Sequence, residues 1–170
     1  MKKKRYKKIR KFIFETNSSS THSICIAKGQ RLMLTIPESL HFEFGNFGWE
    51  ADRLSTVHEK ASYLYTAMVL HEKQAEFLDA VHFLRGLGIS ISYDLPFYDT
   101  TEGLQVPLNS GHIDHYYDLR FFVKDMCGDF KKIKRFLFSP LSYILTGNDN
   151  SDTDVDIKES YPHEVYYKGN

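Results

Sequence analysis

The chain has 170 residues, of which 42% are hydrophobic, including 13 Phe and 11 Tyr. This length and composition predict a single domain over residues 1–170, with a core that needs no disulfides. The 22 basic and 22 acidic residues balance, the two cysteines make no disulfide framework, and no apolar run reaches the roughly 18 residues of a membrane span. We therefore exclude a membrane protein and expect a cytoplasmic one, without a secretory signal.

The charge is distributed unevenly. Residues 1–11 carry eight Lys or Arg and no acidic residue, whereas the remaining 159 residues carry 14 basic and 22 acidic ones. Such a basic N-terminal arm can bind the phosphates of nucleic acid, or it can pair with the acidic surface of its own chain. At the other end, residues 151–170 form an acidic tail. The candidate nucleic-acid-binding residues are Lys2, Lys3, Lys4, Arg5, Lys7, Lys8, Arg10 and Lys11.

Strand-forming residues dominate the first part of the chain. Residues 9–14, 23–27 and 31–36 each predict a strand. The segment "HFEFGNFGWE" at 41–50 alternates between aromatic and polar residues until two glycines introduce a turn or bulge. These segments predict a small sheet.

The hydrophobic period changes near residue 52. Thr56 and Glu59 have the spacing of a capping box, and an apolar stripe at helical spacing follows them. The pattern predicts two helices, over about 55–71 and 73–86, which glycines end.

The second half of the chain predicts both kinds of element. The segment "ISISYDL" at 89–95 predicts a strand, whereas 96–112 shows no clear period and predicts a loop. Further predictions are helices over about 115–125 and 128–137, a short strand or helix end at 141–145, and a last edge strand at 163–169. Together the elements predict an α+β fold, in which helices cover one face of a small, mostly antiparallel sheet.

The first polar segment is "NSSSTHS" at 17–23, which directly precedes an apolar run. His22 is a candidate general acid or base because histidine changes its charge near neutral pH, and Ser20 or Thr21 would supply a hydroxyl. In an extended strand Ser20 and His22 would share one face, and Thr21 would lie on the other. The alternative is a turn, in which the hydroxyl side chains bond to nearby backbone.

The second polar segment is "SGHIDH" at 110–115. Its imidazole and carboxylate groups suit a divalent metal, so His112, Asp114 and His115 are candidate ligands for zinc, manganese or iron. Asp114 and His115 are also candidate catalytic residues. In the alternative interpretation Asp114 caps the helix that follows, and the histidines are partly exposed.

The third polar segment is "TGNDN" at 146–150, where Asn148, Asp149 and Asn150 follow an apolar approach. A polar group that starts where a buried element ends is a common place for a site. The acidic residues 152–156 predict an exposed loop. In the other interpretation, Asp152 and Asp154 resemble the paired metal-binding aspartates of nucleotidyltransferases, which hold Mg²⁺ for phosphoryl transfer.

Five stretches, spread over most of residues 10–150, form a fairly specific combination: "RKFIFETNSSSTHSI", "IPESLHFEFGNFGWE", "EKASYLYTA", "GHIDH" and "RFLFSPLSYILTGNDN". This combination resembles a group of uncharacterised proteins from phages and mobile elements of low-GC Gram-positive bacteria. The resemblance implies a phage or prophage setting without a defined activity. It also implies that the three polar segments belong to the shared pattern of the group.

We expect the three polar segments to converge in one cleft, since their residue types suit phosphoester chemistry. The first hypothesis is a counter-defence protein that acts on nucleic acid or nucleotide phosphoesters. The second is a non-catalytic inhibitor, which would bind a host defence protein such as a CRISPR effector through aromatic and acidic surfaces. The candidate catalytic residues are Ser20, Thr21, His22, Asp114, His115, Asn148, Asp149 and Asn150.

Overall fold

The structure, a computed structural model, describes residues 20–28, 34–48, 52–94, 111–148 and 165–169. The strands are β1 Ser20–Ile26, β2 Ser39–Phe42, β3 Asn46–Phe47, β4 Arg53–Leu54, β5 Ser90–Tyr93, β6 His112–Ile113, β7 Tyr143–Asn148 and β8 Val165–Gly169. The helices are α1 Val57–Leu70, α2 Gln74–Gly86, α3 Arg120–Met126 and α4 Phe130–Phe138, and a 3₁₀ helix, Tyr116–Leu119, precedes α3. These elements confirm the predicted α+β class.

The main sheet has the strand order β4-β7-β1-β8. All of its neighbouring strands are antiparallel, with Ser20 opposite Asn148 in the first pair and Ile26 opposite Val165 in the second. Two short parallel pairs, β2 with β5 and β3 with β6, lie outside this sheet. The predicted edge strand is confirmed as β8, and the apolar segment after α4 is strand β7 rather than a helix end.

The core lies between the main sheet and the helices. Alternation along β1 buries His22, Ile24 and Ile26, of which the two isoleucines belong to the large apolar cluster of the helices. Cys25, on the other face, is buried with Tyr143 in a smaller cluster.

Helix α1 lies at the centre of this core. Its N-terminus has the predicted capping box, because Thr56 accepts from the backbone of Glu59 and the Glu59 carboxylate accepts from the backbone of Thr56. All ten residues from 60 to 69 are buried, including Lys60, Tyr63 and Thr66. The sequence predicted one apolar stripe, but the helix is enclosed on every side because both polar and apolar residues find partners in the interior.

Three local predictions are wrong. Residues 20–23 are part of strand β1 and not a turn, because all four pair with β7 and residues 22 and 23 also pair with β8. Residues 34–36, in the described part of the strand predicted at 31–36, are not a strand. Asp114 does not cap the following helix, because its carboxylate accepts from the backbone of the adjacent His115. The predicted strand at 9–14 lies outside the described residues.

Candidate functional site

His22 lies on the core side of β1, beneath the turn that follows β6. Its side chain is fully buried. The Tyr63 hydroxyl lies 3.0 Å from His22 Nδ1, and the ring also donates to the backbone carbonyl of Asp114. Since Tyr63 occupies Nδ1, the donor to Asp114 is Nε2, and Nδ1 accepts from the tyrosine hydroxyl. Three distant parts of the chain therefore meet at one imidazole.

Burial determines the charge of this imidazole. The loss of water lowers the pKa of His22 to about 4, although the carbonyl and carboxylate of Asp114 act in the opposite direction. His22 is therefore neutral at pH 7. Burial also raises the pKa of Tyr63 well above its ordinary value. The pair is thus an uncharged, hydrogen-bonded connection between β1, α1 and the turn after β6.

Gly48 closes the site on the side of β3. Its backbone has φ +115°, and an added Cβ would lie 3.0 Å from the Asp114 Cβ and 3.0 Å from the His22 Nε2. A side chain here would be strained by the backbone and would press on both neighbours. The glycine thus allows the imidazole and the turn to approach each other closely.

The turn after β6 carries the exposed polar groups of the site. The backbone of Asp114 donates to the carbonyl of Phe47 at 3.1 Å, and His115 follows in the left-handed conformation with φ 54°. The Asp114 Oδ1 lies 4.0 Å from the His115 Nε2, and the His115 side chain is 41% exposed. His71, at the end of α1, donates to the carbonyl of Tyr116 at 2.8 Å and fixes the start of the 3₁₀ helix.

The predicted site residues are thus partly brought together. His22 contacts Asp114, and the backbone of Ser20 pairs with that of Asn148. Thr21 is half-buried on the opposite face from His22, as the alternation predicts. Asp149, Asn150 and the basic arm of residues 1–11 lie outside the described residues. Catalysis by any of these residues stays a prediction.

In the described part of the chain, the fold brings no further ligand to the candidate metal site. His112, Asp114 and His115 occupy one strand end and one turn. Within the part of the chain that the structure describes, no three His, Cys, Asp or Glu side chains are arranged so that they would hold an ion.

Two features of the site were absent from the sequence prediction. Tyr63 is one of several apolar or aromatic residues in α1, and its sequence position alone does not distinguish it from a packing residue. The other feature is an exposed group, Tyr117, Arg120, Phe121 and Lys124, directly after the turn. The sequence does contain a signal for this exposed group, because aromatic and basic residues lie close together in the segment "YYDLRFFVK".

Comparisons of the chain with protein-family models, with curated proteins and with solved structures found no match. Among the helices that the structure describes, none is long and apolar enough to cross a bilayer.

Proposed function

We propose that the protein acts on nucleic acid or nucleotide phosphoesters, and that the turn formed by Asp114 and His115 is its working site. The observation that carries the proposal is the exposed imidazole of His115, which lies beside the Asp114 carboxylate. The buried imidazole of His22 contacts the same turn through the carbonyl of Asp114. The setting, a phage or prophage protein that counters host defences, rests on the sequence resemblance alone.

The two histidines have different roles in this proposal. His115 is accessible, so it is the residue that would take a proton from an attacking oxygen or give one to a leaving oxygen. Asp114 would orient that imidazole and stabilise its charged form. His22 is buried and neutral, and it acts as a positioning residue through the carbonyl of Asp114.

The main sheet supports the same location. Strands β1 and β7 place Ser20 opposite Asn148 and His22 opposite Thr146, so the first and third polar segments of the sequence are neighbours. The contact between His22 and Asp114 adds the second segment. The backbones of all three polar segments are therefore connected through β1, and hydroxyl and amide groups of the kind that these segments contain bind phosphate oxygens.

The test is an activity assay of the full-length protein on labelled RNA, single-stranded DNA, duplex DNA and cyclic or linear nucleotides. His115→Ala should lower the rate on the accepted substrate by about 100-fold or more, the usual contribution of a general acid or base. His82→Ala is the matched control, because His82 is exposed on α2, and it should leave the rate unchanged.

Equal rates for wild type and His115→Ala would reject this site. Absence of turnover on every substrate by the wild-type protein would reject catalysis, and the hypothesis of a non-catalytic inhibitor of a host defence protein would then replace it.

A further inference from the structure

The surface that follows the turn consists of Tyr117, Arg120, Phe121 and Lys124, and we call it the aromatic–basic surface. Tyr117 is 72% exposed and Phe121 is 60% exposed, the two highest values among the exposed large hydrophobic residues of the described chain. The neighbouring Leu119, Phe122 and Val123 are buried. The segment thus has a packed side and a side on which two aromatic rings face water, although burial of such rings is strongly favourable.

The rings are arranged by their neighbours. The Arg120 guanidinium lies 4.8 Å from the centre of the Phe121 ring, and the Tyr116 and Tyr117 rings are 4.0 Å apart. The hydrogen bond between the two tyrosines raises the pKa of Tyr116 to about 12. Tyr117, Phe121 and Lys124 are separated by four and three residues, so a helical backbone places them on one side.

Positive charge is concentrated in the same segment. Residues 115–135 contain six Lys or Arg and three Asp, a net charge of +3. Outside this segment and the arm of residues 1–11, the chain has 8 basic and 19 acidic residues. Lys132 is paired with Asp125 and Asp129, whereas Arg120 and Lys124 form no ion pair with another described residue. Lys124 also acts electrostatically on the Asp125 carboxylate, but without a direct ion pair in the described chain both cations can still contact an anionic partner.

We infer that the aromatic–basic surface binds a single strand of nucleic acid, with bases stacked on Tyr117 and Phe121 and phosphates beside Arg120 and Lys124. Base faces are accessible to such rings only where the strand is unpaired, which favours single strands over duplexes. A protein partner would also use Tyr and Arg, but the local excess of positive charge on an otherwise acidic chain favours a polyanion.

This inference rests on the proposed function and specifies its substrate class. His115 lies two residues before Tyr117, at the N-cap of the 3₁₀ helix that contains Tyr117. A strand held on the aromatic–basic surface would therefore run past the exposed imidazole. The buried His22 network, which fixes the turn, would set the position of both the binding surface and the reactive group.

The experiment measures the affinity of the full-length protein for a fluorescein-labelled oligothymidylate strand and for a duplex of equal length, by anisotropy at several salt concentrations. Wild type should prefer the single strand. Tyr117→Ala and Phe121→Ala should each weaken its binding about tenfold or more, the usual effect of a lost base stack. Leu78→Ala is the control, since Leu78 is 49% exposed on α2, and it should bind like wild type.

Charge is tested separately. Replacement of Arg120 and Lys124 by Gln should reduce the slope of log affinity against log salt by roughly 0.7 for each lost phosphate contact. A variant in which Gln replaces Lys2, Lys3, Lys7 and Lys8 measures the contribution of the arm to the affinity. In this background, Tyr117→Ala and Phe121→Ala should still each weaken binding about tenfold.

Unchanged affinity in both ring variants, or an equal affinity of wild type for duplex and single strand, would overturn the inference. The proposed function can fail independently: His115→Ala should retain full binding, so tight binding without turnover supports the surface and rejects the catalytic role. Turnover that is insensitive to Tyr117→Ala and Phe121→Ala supports the catalytic turn and rejects the surface.

Discussion

Two ionisable side chains, His22 and Lys60, are buried in the same core, and they are held in similar ways. His22 donates to the carbonyl of Asp114. The Lys60 Nζ donates to the carbonyl of Ser139 at 2.8 Å and to that of Ser142 at 3.1 Å. Burial lowers the pKa of both, to about 4 for His22 and about 8 for Lys60. At pH 7 the histidine has therefore lost its charge, and the lysine has kept it.

The two residues differ in their surroundings: Lys60 stabilises the core, whereas His22 lies beside the candidate site. The Lys60 ammonium donates to carbonyls at the end of α4 and before β7. A cation is favourable at such a helix C-terminus. The carbonyl that His22 holds belongs to Asp114, whose carboxylate lies 4.0 Å from the exposed His115. Burial of a polar group does not by itself indicate function, and the proposed role of His22 therefore depends on the exposed His115 rather than on its own burial.

The largest effect is expected from Lys60→Ala. The change leaves a cavity and two buried carbonyls without their donor, so the free energy of unfolding should fall by about 4 kcal/mol. Urea denaturation at pH 7 measures this loss. Lys131→Ala, at an exposed position in the same helical region, should change the value by less than about 0.5 kcal/mol. A loss below about 1 kcal/mol for Lys60→Ala would mean that water or neighbouring groups replace the ammonium.

The pH dependence of stability should show the two side chains separately. Each has a folded pKa below its ordinary value, 6.5 for histidine and 10.5 for lysine, so the unfolded chain binds more protons within each interval. The free energy of unfolding should therefore rise with pH from 4 to 6.5 and again from 8 to 10.5. The rise for His22 should be about 3 kcal/mol.

The measurement is urea denaturation at a series of pH values. His22→Gln should flatten the acid interval alone, and Lys60→Met should flatten the alkaline interval alone. An acid interval that is as steep in His22→Gln as in wild type would assign that loss of stability to other groups, such as the carboxylates.

The smallest effect is expected from Gly48→Ala. The backbone has φ +115°, and the new methyl group would lie 3.0 Å from both the His22 ring and the Asp114 Cβ, so stability should fall by about 2 kcal/mol. Gly86→Ala provides the control, because a Cβ there meets nothing within 4 Å. Thermal unfolding of wild type and of both variants measures the change in stability that each substitution causes. Equal stability of Gly48→Ala and wild type would show that the turn can move away from the imidazole.

Local sequence pattern predicted the elements whose formation depends on neighbours in the chain. The capping box of Thr56 and Glu59 marked the start of α1, and periodicity located α2, β5 and β8 close to their observed bounds. The class of the fold followed from these elements. The alternation of β1 also predicted that His22 and Thr21 lie on opposite faces of the strand, as they do.

Contacts between residues that are far apart in the sequence could not be predicted from local pattern. Nothing next to Lys60 in the sequence indicates that its ammonium meets carbonyls near residue 140, and nothing next to Tyr63 indicates a histidine partner. Both contacts depend on tertiary packing, which overrides the ordinary preference of lysine for the surface. The exposure of Phe121 beside the buried Phe122 is likewise decided by which side of α3 meets the core.

The pairing of β1 has a consequence for the order in which the molecule assembles. Ser20 pairs with Asn148, and Ile26 pairs with Val165, so β1 can pair with its neighbours in the order β4-β7-β1-β8 only after much later segments have been synthesised. Contacts between such distant segments form slowly, whereas α1 and α2 need only local contacts. We therefore expect the nascent helices to form first, and the imidazole of His22 to reach its enclosed position only after residues 143–169 have been synthesised.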